Sequence, residues 1–125
     1  MKIIITAVSD QIDQPFNPRF GRAEYFILIE SGTKKWEAFS NPALNARGGA
    51  GPQAVQYITS HKPDVIISGR FGPNAFSALE AAGINAYIAS AGTVREVLEQ
   101  FIDGQLILAG EATSPGMHGG GRKNR

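Results

Sequence analysis

The run Ile3-Ile4-Ile5-Thr6-Ala7-Val8 is nearly all β-branched or apolar and shows no alternation. A strand with one face in water alternates polar and apolar residues, so this strand must be covered on both faces. Strands of that kind lie inside α/β sheets, with helices packed above and below. The chain has 125 residues, enough for the core of one domain and too few for two. The same N-terminal run is too short for a signal peptide with its cleavage site, and far too short to span a bilayer.

Further along, Glu24 to Glu30 predicts a second strand and Lys35 to Ser40 a third. The turn Ser31-Gly32-Thr33-Lys34 joins them as an antiparallel hairpin. Before the hairpin, Ser9 to Phe20 is polar and broken by Pro15 and Pro18, so it is loop. After it, Asn41 to Gly51 is an open, glycine-rich loop, and Pro52 stands where a first helical residue belongs. Ala54, Val55 and Ile58 form the apolar stripe of that helix, which ends before Pro63.

Val65 to Ser68 is a short buried strand. Pro73 opens a second helix, with Phe76, Leu79 and Ala82 on one face and Gly83 at its end. Ile84 to Ala89 is the next strand. Thr93-Val94-Arg95-Glu96 is a capping box, and the helix behind it carries Val94, Val97, Leu98, Phe101 and Ile102 as one stripe. Leu106 to Leu108 is a candidate for a last short edge strand, left out of the count. The order β-β-β-α-β-α-β-α, closed by right-handed crossovers, predicts a single-domain α/β fold. Its five-stranded mixed sheet is flanked by helices and resembles the ribonuclease H-like architecture in shape. The domain is expected over residues 1–110, with 111–125 a flexible glycine-rich tail.

Twelve basic and eleven acidic residues leave a net charge of +1, and the final Arg122-Lys123-Asn124-Arg125 contributes much of the basic character. No basic face is implied, which argues against nucleic acid or an anionic membrane as partner. There is no cysteine, so no disulfide framework and no thiolate-bound metal or cluster is available. Such a chain suits a reducing cytoplasm.

Chain direction then locates the unusual residues. If the first strand runs parallel to Val65–Ser68, the loops Ser9–Phe20 and Asn41–Gly51 and all three helix N-termini share the carboxyl edge of the sheet. In open α/β sheets ligands bind at that edge. Arg19, Arg22, Arg47 and Arg70 all fall in loops assigned to it, whereas Lys34, Lys35 and Lys62 map to the opposite end. Arginine donates planar, multidentate hydrogen bonds suited to anions. Gly48, Gly49, Gly51, Gly69, Gly72 and Gly92 bring backbone N–H groups close to the same place, and helix N-termini add partial positive charge. The expectation is a cradle for an anion.

Several separated motifs carry a resemblance. Arg19-Phe20-Gly21-Arg22-Ala23 with Phe26, Gly48-Gly49-Ala50-Gly51, Gly69-Arg70-Phe71-Gly72-Pro73-Asn74-Ala75-Phe76, Ala82-Gly83-Ile84 and Gly92-Thr93-Val94 follow in order. Together they resemble the dinitrogenase iron–molybdenum cofactor biosynthesis family, from residue 1 to about 110. The resemblance implies a non-catalytic binder or carrier of an iron–molybdenum or iron–sulfur cofactor, with a partner in cluster assembly. It implies a site drawn from Arg19, Phe20, Gly21, Arg22, Arg47, Gly48, Gly49, Gly51, Arg70, Gly72, Asn74 and Thr93. Cofactor-binding members tend to carry histidine where this chain has Arg19. Arginine has no free lone pair at neutral pH and cannot ligate iron, so binding is expected through charge or through a ligand from elsewhere.

Catalytic patterns are missing: no Walker lysine motif, no dinucleotide GxGxxG, no paired-histidine metal spacing, no nucleophile elbow. Asp10 and Asp13 share the loop after the first strand, but the carboxylate set of a metal-dependent nuclease is incomplete. His61 follows a helix end, where dipole compensation accounts for it. Met117 and His118 in the tail are the weak metal candidates. Two other functions fit the same edge: binding a phosphorylated small molecule, and docking a protein partner without any cluster.

Overall fold

The structure, a computed structural model, describes residues 1–110. Six strands form one sheet: β1 (Lys2–Ala7), β2 (Tyr25–Glu30), β3 (Trp36–Ser40), β4 (Val65–Ser68), β5 (Asn85–Ile88) and β6 (Ile107–Leu108). Their spatial order is β3-β2-β1-β4-β5-β6. β1, β4 and β5 are mutually parallel, with Ile4 opposite Ile66 and Ile66 opposite Ala86. β2 and β3 continue outward as an antiparallel hairpin. At the other edge β6 lies antiparallel to β5, giving six strands where five were expected. Two residues are too few to show a pattern, and Gly104, at φ 74, reverses the chain just before them.

Three helices cover the sheet: α1 (Ala50–Thr59), α2 (Pro73–Ala82) and α3 (Val94–Ile102). The uninterrupted apolar run of β1 is explained by its position. Ile4, with Phe26, Ile66 and Ala86, packs beneath Ala54, Val55 and Ile58 of α1 and Phe76 and Leu79 of α2. Ile3 and Ile5, with Ile27, Ile29 and Ile67, pack beneath Val94, Val97 and Leu98 of α3. Each fully buried isoleucine or leucine contributes about 1.5–3 kcal/mol relative to exposure.

One helix boundary moved. α1 begins at Ala50, two residues before Pro52. Gly49 at φ 68 lets the chain enter the helix early, and Pro52 then occupies the third position, whose N–H has no helical partner to lose. α2 opens at Pro73 and closes on Gly83 at φ 74, as its sequence predicts. Among the described residues no helix is long and apolar enough to cross a membrane.

Candidate functional site

Because β1, β4 and β5 are parallel, the segments 8–24, 41–49, 69–72 and 89–93 all emerge at one edge with the starts of the three helices. Lys34 and Lys62 lie in turns at the other end.

Segment 8–24 is anchored first by buried hydroxyls. Thr6 and Ser68, at the ends of adjacent strands, hydrogen-bond each other at 2.8 Å, and both reach the carbonyl of Asn17. The amide of Asn17 donates back to the Thr6 carbonyl at 2.9 Å. Next, the Pro18 carbonyl accepts from the amides of Gly69 (3.1 Å) and Arg70 (2.8 Å), and the Phe20 amide donates to the Arg70 carbonyl. Arg19 and Arg70 thereby become neighbours in a parallel bridge. Gly69 permits this approach, since a Cβ there would lie 2.5 Å from Pro18 Cβ.

The loop after β3 joins the same cluster. Buried Asn41 donates from Nδ2 to the carbonyls of Gly21 (3.1 Å) and Ala23 (2.9 Å) and accepts the Ala43 amide on Oδ1 at 2.8 Å. Arg22 donates from Nη1 to the carbonyls of Leu44 and Ala46, each at 2.8 Å. Gly21 lies against Gly51, and Gly51 against Ala75, with a built Cβ only 2.9 Å from its neighbour in both cases.

The residues expected to bind divide into two groups. Phe20 belongs to the core: it is 2% exposed, with its ring centroid 5.3 Å from Phe71 and 5.9 Å from Phe26. Gly21 and Gly51 are close-packing positions. Thr93 is a helix cap, its Oγ1 accepting the Glu96 amide while its own amide donates to Glu96 Oε1 at 2.8 Å. Beyond the box, the amides of Val94 and Arg95 donate to the carbonyls of Gln14 and Ile12, so the start of α3 is closed. Each of these four residues is thus engaged within the chain.

The second group is open. Arg19, Arg47 and Arg70 are exposed, and their guanidinium groups make no hydrogen bond or ion pair among the described residues. Gly48 and Gly72 have nothing within 4 Å of a built Cβ and no positive φ, so neither packing nor backbone conformation requires glycine there. Gly49 is required by its φ of 68. α1 and α2 have no side-chain cap, and the amides of Ala50, Gly51, Asn74 and Ala75 find no partner among the described residues. Uncapped helix starts carry partial positive charge.

Among the described residues no three His, Cys, Asp or Glu side chains gather as a metal site. Asp13 is engaged by Arg95 at 2.7 Å, and that hydrogen bond holds its carboxyl below the usual range. His61, just past the C-terminal end of α1, stacks 4.3 Å from Phe39 and meets the edge of Tyr57 at 5.2 Å. His118 lies outside the described residues. The signal missed in the sequence was Asn41-Pro42 directly after a strand, an Asx-turn pattern that marks the clamp holding the loop.

A mixed sheet with helices on both faces and a cationic loop rim at its carboxyl edge marks this chain as a small α/β protein. The chain belongs to the dinitrogenase iron-molybdenum cofactor family, whose model matches residues 1–104. It is 34% identical to the apo form of the orange protein (ORP) from Desulfovibrio gigas, covering 90% of this chain and 96% of that one, with a TM-score of 0.88. A Thermotoga protein assigned to NifB and the DUF35 family is 32% identical, covering 95% of this chain and 98% of that one, with a TM-score of 0.76. An uncharacterised Methanocaldococcus jannaschii protein is 29% identical over 110 residues, which are 85% of this chain and 93% of that protein. Family membership associates the chain with a cofactor.

Proposed function

We propose that the chain is a non-catalytic binder or carrier that holds a small anionic cofactor at the carboxyl edge of its sheet. The observation that carries this reading is the Arg19–Arg70 bridge: two exposed arginines held side by side with no acidic partner among the described residues, beside the uncapped start of α2. Arg47, Gly48 and Gly49 extend the surface toward α1, and Gly72 and Asn74 line the start of α2. Hydrogen bonds involving a charged partner contribute about 1.5–3 kcal/mol each, so a few of them suffice for micromolar affinity.

The donor set suits an anion gripped by its outer atoms. Guanidinium and amide N–H groups donate and cannot coordinate metal. An iron–molybdenum or iron–sulfur cluster therefore fits as cargo, complete in its own ligands, with the protein supplying charge and shape. Family membership and the likeness to a protein studied in an apo form support this cargo. The free amides ahead of α1 and α2 favour a second occupant, a phosphate-bearing metabolite at the same rim.

Anaerobic incubation with a cluster donor, followed by visible spectroscopy and metal analysis, separates the two. A carrier retains metal and gains visible absorbance; a metabolite binder retains none and is stabilised by phosphorylated ligands in a thermal-shift screen. Failure of both ends the anion reading.

A further inference from the structure

We infer that Arg22 is a positioning residue of this rim: it fixes the loop that bears Arg47 and Gly48 and does not grip the anion. The functional half of this inference rests on the binding reading above; the structural half stands without it.

Arg22 differs from the other three loop arginines in being half-buried and hydrogen-bonded within the chain. Both of its hydrogen bonds leave one nitrogen, Nη1, and end on the carbonyls of Leu44 and Ala46 at 2.8 Å. Between β3 and α1 the chain is otherwise held by Asn41 at its start, by buried Ala43, and by two turn bonds, Leu44 N to Asn41 O at 3.3 Å and Ala46 N to Ala43 O at 3.0 Å. Asn41 fastens the near end of the loop to segment 21–24, and Arg22 fastens the far end, immediately before Arg47. Segment 21–24 is itself continuous with the Pro18–Phe20 stretch that pairs with Arg70. The chain of contacts runs from Arg70 through Phe20 to Arg22 and on to Ala46, so the two halves of the rim are set relative to each other before any ligand arrives. Preorganisation of that kind raises affinity by removing the ordering cost from the binding step.

Two measurements test the assignment. In the ligand-free chain, Arg22→Ala should speed hydrogen exchange at the amides of Leu44 and Ala46 by at least about tenfold, since even one such bond contributes about 1.5 kcal/mol. Arg22→Lys should restore part of the protection, because one ammonium nitrogen also carries enough donors for both carbonyls. Unchanged exchange in Arg22→Ala overturns the clamp, and if that variant does not fold, the Lys and Gln variants give the same comparison.

Calorimetry with inorganic pyrophosphate as the probe tests the functional half. Arg22→Ala should weaken binding in the native background and lose most of that effect once Arg47→Ala is present, because it acts through the loop. Fully additive losses overturn the positioning role and make Arg22 a direct ligand. A loosened loop in a protein whose native form binds neither pyrophosphate nor a cluster supports the clamp and overturns the binding reading alone.

Discussion

Arg19 and Arg70, on segments that follow different parallel strands, occupy adjacent positions of a parallel backbone bridge, held there by two bonds to the Pro18 carbonyl and one from the Phe20 amide. The backbone sets two cationic residues side by side, and no carboxylate among the described residues pairs with either. Glu24, in the neighbouring segment, is turned to Asn17 Nδ2 at 2.9 Å.

Removing both charges tests the rim. Arg19→Ala with Arg70→Ala should sharply reduce uptake of an anionic cluster or phosphate ligand while shifting the melting temperature by no more than a few degrees, since exposed substitutions usually change stability by under about 0.5 kcal/mol. Binding to the native chain should also weaken as salt is raised from about 0.05 to 0.5 M. Uptake that ignores both changes contradicts the proposed site.

The glycines should separate by role. Gly69→Ala drives a methyl into Pro18 and should destabilise the fold by about 1–3 kcal/mol, and Gly21→Ala should behave alike because backbone of Gly51 stands 2.9 Å away. Gly48→Ala and Gly72→Ala meet nothing and should fold normally. If the anion approaches the backbone there, those two variants lose affinity without losing stability. Urea titration beside a binding assay distinguishes the pairs.

Thr93→Ala removes the cap of α3 and should lower stability by about 1 kcal/mol. Anion binding should be unaffected, because the amides at that helix start are already bonded within the chain. A loss of binding larger than the loss of stability would return Thr93 to the site.

Acid should weaken the fold through two exposed carboxylates. The Arg95 side chain holds Asp13 below its ordinary value of 3.8, and the Gly32 amide, followed by the N-terminal amine, holds Glu30 below 4.5. With folded-state values depressed, the stability these groups contribute is present above their unfolded-state values and is lost as pH falls through the folded ones. Asp13→Asn and Glu30→Gln should therefore flatten the decline in stability below about pH 4. An unchanged slope would show that neither pairing persists in solution.

Much of the fold was legible in the chain. β1 carries its own instruction, since an apolar run without alternation can exist in water only with a helix on each side. α3 announces itself by a capping box and one apolar stripe, and both are realised. α1 was misplaced by two residues because Gly49, not Pro52, makes its entry, and a positive φ leaves no mark that separates one glycine of Gly48-Gly49 from the other. β6 escaped the count because two residues show no pattern.

The sequence by itself determined most of the strands and helices and that helices cover both faces, properties that follow from local periodicity written in neighbouring residues. The parallel run of β1 and β4, which puts the loop arginines at the carboxyl edge, was an assumption until the pairing was seen. Only the tertiary structure decided which residues of the rim are open. Phe20 went to the core, Gly21 and Gly51 to close contacts, Thr93 to a cap and Arg22 to a clamp, while Arg19, Arg47 and Arg70 have no side-chain partner among the described residues. An arginine and a glycine look the same in sequence whether they meet solvent or a carbonyl from another loop, because that choice depends on contacts between residues distant along the chain.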